Sequence, residues 1–438
     1  MNGSIEHPMR RLLNDELHAR QFNEFHGTGR FIRYVYFTQS HDKGLMKQIN
    51  QLLQKYNCPK MDMSEKFVRH ETGQFAIRVE RHTEFISVSL IDLDDTKAAF
   101  GAKPAYDEAA FPHLPFADIA GFDHPVFHAM WLEVFTMPET MPRAQEMQKS
   151  LEGRAVSASK ISSGGGHLYY SFDIDKAGYS RIALLNDKIA GHRMGRVIQR
   201  VIELETYRLL ALLNLPKVKE FSVKLDHIET ELRGATEQLS AVHNADKMAQ
   251  TVEDADKLLA RLTSLSADLE QIYSQTSYRF AASKAYFDIV NARLFELSTS
   301  RLNGFQSIRG FLERRMSPAM QSASAFARRM DRLSNRNAYA GQLQRSQTEL
   351  ALQKQNHDLL ASMNQRTSAQ LRLQQTVESL SIAAVTYYGV GLVGYLAAAF
   401  PLADYGIEKR LIQAVFVPII AYVVWRQVKL VKKVLGRK

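Results

Sequence analysis

Residues 379–403 read SLSIAAVTYYGVGLVGYLAAAFPLA, and this run of 25 residues without a formal charge decides the architecture of the chain. As an α-helix it would be roughly 37 Å long, enough to cross a hydrocarbon core of about 30 Å. A second apolar run, LIQAVFVPIIAYVVW (Leu411 to Trp425), would extend for only about 22 Å. Trp425 at the interface, with Arg426 and Lys429 reaching outward, would lengthen its span. A pair of transmembrane helices is therefore favoured over two buried core helices.

The positive charges orient this pair of helices. The loop DYGIEKR (Asp404 to Arg410) is neutral, whereas the tail at 426–438 carries six Lys or Arg residues and no acid. Because the more positive side stays cytosolic, both termini are predicted in the cytosol of a bacterium, with a multi-pass anchor in its inner membrane. We predict a transmembrane hairpin over 379–425, with helices at 379–402 and 411–425, and then a basic cytosolic tail.

Composition limits the remaining part of the chain. The 438 residues are enough for two or three folded units. The single cysteine, Cys58, excludes an intrachain disulfide and fits a reducing compartment. The net charge of +10 is concentrated in the tail and in residues 301–345, where nine Arg face Glu313 and Asp331. No nucleic-acid partner is expected from this uneven distribution. The Arg-rich stretch is expected to form salt bridges with a helix carrying Glu253, Asp254 and Asp256, or to bind anionic lipid as the tail does.

Residues 1–188 are predicted to form a mixed α/β cytosolic domain of the α+β class. Short runs rich in aromatic and β-branched residues indicate strands, and DKGLMKQINQLLQKY (Asp42 to Tyr56) has helical periodicity. Residues 101–125, which contain Pro and Gly, and residues 138–166, which contain Pro, Gly and Ser, are predicted to be loops. The predicted strands are FIRYVYF (31–37), GQFAIRVE (73–80), TEFISVSL (83–90), VFHAMWLEVF (126–135), HLYYSFDID (167–175) and SRIALLN (180–186).

Residues 189–378 are predicted to be long helices with coiled-coil character. Apolar residues recur there at helical spacing, and prolines are rare. A near-heptad seam continues into the first membrane helix through Leu359, Met363, Leu373, Val377, Leu380 and Ala384, with Arg366 and Gln370 interrupting it. Sustained heptads are typical of coiled coils, so self-association as a homo-oligomer in the lipid bilayer is predicted.

Glycines in the first membrane helix imitate a nucleotide-binding motif. Gly389, Gly391 and Gly394 spell G-x-G-x-x-G, but the motif needs a preceding strand, and here it lies inside an apolar run. We therefore predict no cofactor and interpret the small residues as a helix-packing face. The predicted packing residues are Ala384, Gly391, Gly394 and Ala398.

No catalytic signature is visible in the sequence, so an enzyme is not the favoured interpretation. His124 and His128 lack further ligands at metal-binding spacing, and no metal site is predicted. The acids Asp92, Asp94, Asp95, Asp173 and Asp175 are predicted to be solvated. Glu205 and Arg208 are read as a helix-stabilising pair.

The segment Arg81-His82-Thr83-Glu84 lies between two predicted strands and has two interpretations. It is either a polar turn with an internal Arg–Glu pair or a contact for a ligand or another subunit. Arg81, His82 and Glu84 are accordingly the candidate contact residues.

Several stretches of the chain resemble the bacterial family of membrane-anchored proteins catalogued as domain of unknown function 3422. The resemblance covers the whole chain, and it departs from the family at Gln21, where the family usually has Pro. It implies a membrane-anchored protein and supplies no catalytic residues. The matching stretches are Glu6 to Pro8, Asn14 to Arg20, Arg81 to Phe85, Glu205 to Arg208, Tyr278 to Phe280, Arg314 to Met320 and Leu371 to Tyr395.

The order of parts also resembles that of CorA-type magnesium channels, although their Gly-Met-Asn motif is absent from this sequence. Asp404 and Glu408 in the short outer loop are candidates for attracting cations. Two functions are therefore kept: a homo-oligomeric membrane protein acting as a cation channel, and a membrane-tethered scaffold or sensor whose α/β domain binds a protein or small ligand.

Overall fold

The structure is a computed structural model that describes residues 7, 9–10, 25, 27–38, 42–62, 65–94, 100–101, 105–243, 251–398 and 409–435. The chain divides into two compact units. The first unit comprises residues 1–244 and 260–340, and the second comprises residues 245–259 and 341–438.

The first unit is built on one β-sheet. Its strands are β1 (Thr28–Phe37), β2 (Phe67–Glu71), β3 (Ala76–Arg81), β4 (Phe85–Asp94), β5 (His128–Thr136), β6 (Ser157–Ile161), β7 (Gly166–Ile174), β8 (Ser180–Asn186) and β9 (Ser300–Arg301). Within the described ranges, these nine strands are ordered β2-β3-β4-β1-β5-β8-β7-β6-β9. Neighbouring strands are antiparallel except β5 and β8, which are parallel.

Three short helices and five long ones accompany the sheet in the described part of the chain. The helices are α1 (Lys43–Lys55), α2 (Phe116–Ala120), α3 (Ala144–Ser150), α4 (Gly191–Leu212), α5 (Leu215–His243), α6 (Thr251–Glu296), α7 (Ile308–Ala398) and α8 (Lys409–Leu435). Asp42 caps α1, because its carboxylate accepts hydrogen bonds from the amides of Gly44 and Leu45 at 3.0 and 3.1 Å. The predicted order of a sheet domain, long helices and a C-terminal apolar helix is confirmed.

The sheet is covered on both faces, so both sets of alternating side chains in its central strands are buried. In β1, Ile32 and Tyr34 pack in a cluster with Leu45 and Ile49 of α1. Phe31 points to the opposite face. There it packs in a second cluster with residues of α4, α6 and the start of α7, among them Val197, Val201, Val290, Leu294, Ile308 and Leu312. A polar side chain in such a strand is therefore buried whichever face it takes.

Two predicted loops contain regular structure. Residues 101–125 include α2, and residues 138–166 include α3 and β6. The helices α2 and α3 have five and seven residues, which is too few to show a helical pattern of apolar residues in the sequence. The strand β6 (SASKI) consists mainly of small or polar residues and so lacks the composition of a strand. The two-residue strand β9 lies in the part predicted to be helical and pairs with β6. The domain boundaries placed after residues 188, 378 and 425 from the sequence remain predictions.

The second unit includes the C-terminal part of α7 and the whole of α8. Each of these two helices contains a stretch that is long and apolar enough to cross a membrane, by length and composition. Pro418 lies inside α8 without ending the helix. The large apolar residues of these stretches, such as Leu392 and Tyr395 in α7 and Val423 in α8, are exposed.

Candidate functional site

The face of the sheet that packs on α4 carries a row of arginines. Arg33 of β1 and Arg78 of β3 are both in register with Ser89 of β4, which lies between them. The short side chain of Ser89 leaves space for two long neighbours, and the Arg33 Nη1 donates to Ser89 Oγ at 3.3 Å. Both arginines are buried. The strand register thus places two guanidinium groups side by side inside the protein.

Glu80, also on β3, is shared by these two arginines. Its Oε2 accepts from Arg33 Nη1 and its Oε1 accepts from Arg78 Nη2, both at 2.6 Å. Burial alone would favour the neutral acid, but the two guanidinium groups outweigh it, so the pKa of Glu80 is lowered. Burial lowers the pKa of Arg78, and Glu80 offsets part of that effect. Arg78 also lies over the Phe67 ring at 5.0 Å.

A small cavity separates this group from α4. The volume of the cavity is about 20 Å³, which is enough for one particle of the size of a water molecule. Strand residues line one side and helix residues the other, so an occupant would touch both elements. The lining residues are Arg33, Arg78, Glu80, His82, Phe85, Gln199, Ile202, Glu203, Thr206 and Tyr207.

The three predicted contact residues lie where β3 meets β4, with Arg81 at the end of β3 and His82 and Glu84 in the turn, and they point to different places. His82 lines the cavity and stacks on Phe85, with 4.0 Å between ring centroids. Arg81 turns away, and its Nε donates to the Glu65 carbonyl at 3.1 Å. The third residue, Glu84, is buried. One of the three candidate side chains, that of His82, therefore lines the cavity.

Glu84 connects the turn to α6. Its carboxylate accepts from Arg279 Nη1 at 3.0 Å and from the Tyr286 hydroxyl at 2.5 Å. Tyr286 in turn stacks on Tyr207, which lines the cavity. The partner of Glu84 is thus a residue of a distant helix, whereas the sequence offered Arg81 as an internal partner. A sequence pattern cannot indicate such a pair, because Glu84 and Arg279 lie 195 residues apart.

A second buried polar group lies on the same face of the sheet. Glu205 of α4 is fully buried and pairs through both oxygens with Arg208, with one distance of 2.6 Å from Arg208 Nε. Glu205 Oε1 also lies 3.3 Å from His128 Nε2 of β5. Burial lowers the pKa of His128 to about 4, so this imidazole is neutral at pH 7. The predicted helix pair is therefore also a contact between α4 and the sheet.

The opposite face of the sheet has its own buried charges. Arg30 Nε donates to Glu133 Oε1 at 3.2 Å, and its Nη1 donates to Asp92. His113 Nε2 lies 3.2 Å from the same Asp92 carboxylate. Burial raises the pKa of Glu133 to about 7. The prediction that Asp92 is solvated is wrong, because β4 is covered on both faces and Asp92 is 6% exposed.

His124, His128 and Arg329 of the Arg-rich stretch each lie beside a carboxylate. His124 Nε2 lies 2.9 Å from Asp42 Oδ2 beside α1, whereas His128 faces α4, so the structure does not bring the two histidines together. Among the described residues no group of three or more metal-ligating side chains is found. Arg329 bridges to Asp226 at 2.7 Å and to Glu229, both on α5. The sequence suggested other acidic partners for this stretch, namely Glu253, Asp254 and Asp256.

The small residues near the end of α7 contact α8 unevenly. A side chain at Gly394 would collide with Gln413, and one at Gly389 would lie 2.9 Å from Ile420. Gly391 faces open space, and Ala384 is exposed. The Ala398 side chain lies outside the described residues, as do Asp404 and Glu408. The packing of Ala384 and Gly391 on another helix remains a prediction. The attraction of cations by Asp404 and Glu408 also remains a prediction.

Comparisons with known proteins give one relationship. No curated protein matches the chain, and no solved structure does. A family model described as "Protein of unknown function (DUF3422)" matches residues 5–435, which is nearly the whole chain. The chain therefore belongs to the DUF3422 family.

Proposed function

We propose that this protein is a membrane-tethered, self-associating sensor. In this function the first unit binds a ligand in the cavity between the sheet and α4, and α7 and α8 hold the chain in the bacterial inner membrane as a hairpin. This develops the scaffold-or-sensor alternative from the sequence, in which the cytosolic domain binds a small ligand.

The main support for the proposal is that the apolar side chains of α7 change from buried to exposed along the helix. Its first residues, Ile308, Leu312 and Met316, are buried in the hydrophobic cluster on the α4 face of the sheet. Many of its later large apolar residues, among them Leu350, Leu359 and Leu373, are exposed. The same helix then enters the apolar stretch suited to a membrane. One continuous helix therefore contains part of the sheet's core, an exposed apolar surface and a candidate membrane segment.

The exposed surface has the spacing of a coiled-coil seam. Leu352, Leu359, Leu373 and Leu380 recur at multiples of seven, and Met363 and Val377 each follow one of these leucines by four residues. These six side chains are between 49% and 72% exposed, so the described part of the chain leaves them available. A second copy of this chain carries the matching seam. Both copies would be attached to the membrane at the same end, which favours a parallel pair.

Polar residues inside the seam favour one alignment of the two helices. Asn356, Arg366 and Gln370 take seam positions between the apolar ones. A buried amide is best satisfied by its own counterpart in the partner, so a shifted register would leave it unpaired. The polar positions thus support a self-association that is specific rather than a general apolar contact.

The tether rests on the two apolar helices and on the charge beside them. Lys429 lies over the Trp425 ring at 4.8 Å, which suits an aromatic and a cation at a membrane interface. The basic residues after Trp425 would bind anionic lipid headgroups.

Cysteine cross-linking in native membranes tests the proposed self-association. In a Cys58→Ser background, Leu373→Cys places a thiol in the seam, and Gln375→Cys places the same thiol on the opposite side of α7. We expect rapid disulfide formation between two chains with Leu373→Cys and little with Gln375→Cys. Equal cross-linking of the two variants, or none with either, would contradict a seam-directed association.

A further inference from the structure

The seam on α7 contains a charged residue between its leucines. Arg366 lies seven residues after Leu359 and seven before Leu373, so it takes the same position of the heptad repeat as these leucines. All three side chains are exposed. In the parallel pair of helices that we propose, side chains at this position face their own counterparts across the seam. The arginine of one copy would therefore lie opposite the Arg366 of the other copy.

Two facing arginines oppose the association of the two helices. The guanidinium group keeps its charge at any ordinary pH, so the pair cannot relieve its repulsion by losing a proton. The apolar neighbours along the seam also screen the two charges less well than water would. A carboxylate or an anion beside the two guanidinium groups would remove this repulsion.

The surroundings of Arg366 on α7 supply no carboxylate. Residues 352–377 are all exposed, so no other described element of the chain covers this part of the helix. The residues three and four positions away on the same helix are uncharged, and so are the positions flanking the seam beside Arg366, where coiled coils usually carry Glu and Lys. These uncharged residues are Ser362, Met363, Thr367, Ala369 and Gln370.

The acids of this part of α7 lie too far away to pair with Arg366. The sequence between residues 350 and 380 contains two of them, Asp358 and Glu378, at about 12 and 18 Å along the helix axis from Arg366. An earlier arginine on the same line of the helix, Arg345, has Glu349 four residues after it on the seam. The seam thus provides a counter-charge for the earlier arginine and none for the later one.

We infer that the paired seam binds a phosphate dianion between the Arg366 side chains of the two copies. Planar guanidinium groups bind phosphate oxygens through paired hydrogen bonds, and the two positive charges match the two negative charges of the anion. The inference rests on the proposed self-association, and it makes that self-association depend on phosphate.

The position of Arg366 on α7 favours a phosphate from solution over a lipid headgroup. The uncharged run of α7 starts at residue 379, which is about 20 Å further along the helix axis. A headgroup at the membrane surface would not reach a side chain at this distance. The ligand of the site is therefore soluble inorganic phosphate or the phosphate group of a soluble ester.

Phosphate binding can be measured on the full-length protein in detergent. Equilibrium dialysis with labelled inorganic phosphate should show one phosphate bound per two chains. Light scattering at a series of protein concentrations gives the dissociation constant between chains, in sodium chloride and with a few millimolar phosphate at the same ionic strength. We expect phosphate to lower this constant by about tenfold. The low concentration avoids the general effect of phosphate on apolar burial. A folded oligomer that binds no phosphate would overturn the site.

Two matched variants locate the phosphate. Arg366→Leu continues the apolar seam, so it should lose phosphate binding and still self-associate. Arg372→Gln removes another exposed arginine of α7, which lies off the seam, and it should leave phosphate binding unchanged. Phosphate binding that persists in Arg366→Leu would place the anion elsewhere and contradict the inference.

Failure of the phosphate site is distinguishable from failure of the proposed function. A single chain in both salts would show that self-association itself is wrong. An oligomer with the same dissociation constant in both salts and no bound phosphate would leave self-association standing and overturn the site. If added phosphatidylglycerol strengthens self-association and phosphate does not, the anion is a lipid headgroup and the inference of a soluble ligand is wrong.

Discussion

Glu84, in the turn between β3 and β4, forms a buried ion pair with Arg279 of α6 and so joins the sheet to a helix 195 residues later in the chain. The carboxylate also accepts from Tyr286, two helical turns further along α6. Through the stacking of Tyr286 on Tyr207, this contact reaches the wall of the cavity. The pair therefore fixes α6 against the sheet at the place where the candidate site lies.

Replacing Glu84 by Gln should destabilise the first unit strongly. Arg279 would keep its charge in a largely buried place without a counter-ion, which costs about 3–5 kcal/mol in comparable cases. Denaturant unfolding followed by circular dichroism measures the loss. Glu71→Gln is the matched control, because Glu71 pairs with Arg69 on the surface and should matter little. If the two variants unfold at the same denaturant concentration, the Glu84 contact has no structural importance.

His128 should make stability fall as the solution becomes acidic. Its pKa is about 4 in the folded protein and near 6.5 in the unfolded chain. The unfolded state therefore takes up a proton first, and the contribution of His128 is lost as pH falls from 6.5 to 4. The full effect is about 3 kcal/mol. The free energy of unfolding of His128→Gln should depend less on pH in this window than that of wild type. Parallel pH profiles would contradict the burial of a neutral imidazole.

Glu133 should have the opposite effect in an overlapping window. Burial raises its pKa to about 7 in the folded protein, whereas the unfolded chain ionises near 4.5. Its contribution is present below pH 4.5 and is lost as pH rises to 7, by about 3 kcal/mol. Glu133→Gln keeps an acceptor for Trp131 Nε1 and removes the titration. We expect the variant to gain stability relative to wild type at pH 8 and not at pH 4.5. An equal difference at the two pH values would show that Glu133 does not titrate in this range.

Charged residues in the apolar part of α7 should release the protein from the membrane. The double variant Leu392→Asp, Leu396→Asp introduces two carboxylates, each costing about 2.5–3.5 kcal/mol at the centre of a bilayer. Carbonate extraction of cell membranes measures the loss. Leu350→Asp with Leu360→Asp makes the same changes at exposed leucines of the same helix, outside the apolar run and the seam, and should leave the protein in the membrane. Retention of both double variants would argue against the tether.

Local patterns predicted the strands well and the buried site poorly. FIRYVYF has large apolar residues in both alternating sets, which marks β1 as a strand, and its neighbours β3, β4, β5, β7 and β8 have the same kind of signal. The same feature indicates that Arg33 is buried, because a strand with apolar residues on both faces has no solvent-exposed face for its one arginine. The strands β2 and β6 have only five residues each, most of them polar or small, and neither is among the predicted strands.

The cavity itself could not be predicted from the sequence. It depends on the register that places Arg33 and Arg78 on either side of Ser89, and on the packing of α4 over them. Neither the order of strands nor the helix that covers them is encoded in a local pattern. Glu80 illustrates the limit, since it follows Arg78 by two residues but also binds Arg33, which lies 47 residues earlier.

The mass of the detergent-solubilised protein tests the proposed self-association most directly. One chain has a mass of 49.8 kDa. Light scattering, corrected for bound detergent, should give one defined mass of two or more chains, and disruption of the seam by Leu373→Asp with Leu380→Asp should reduce it to that of one chain. A wild-type mass of a single chain, in detergents that keep the protein folded, would contradict a self-associating sensor.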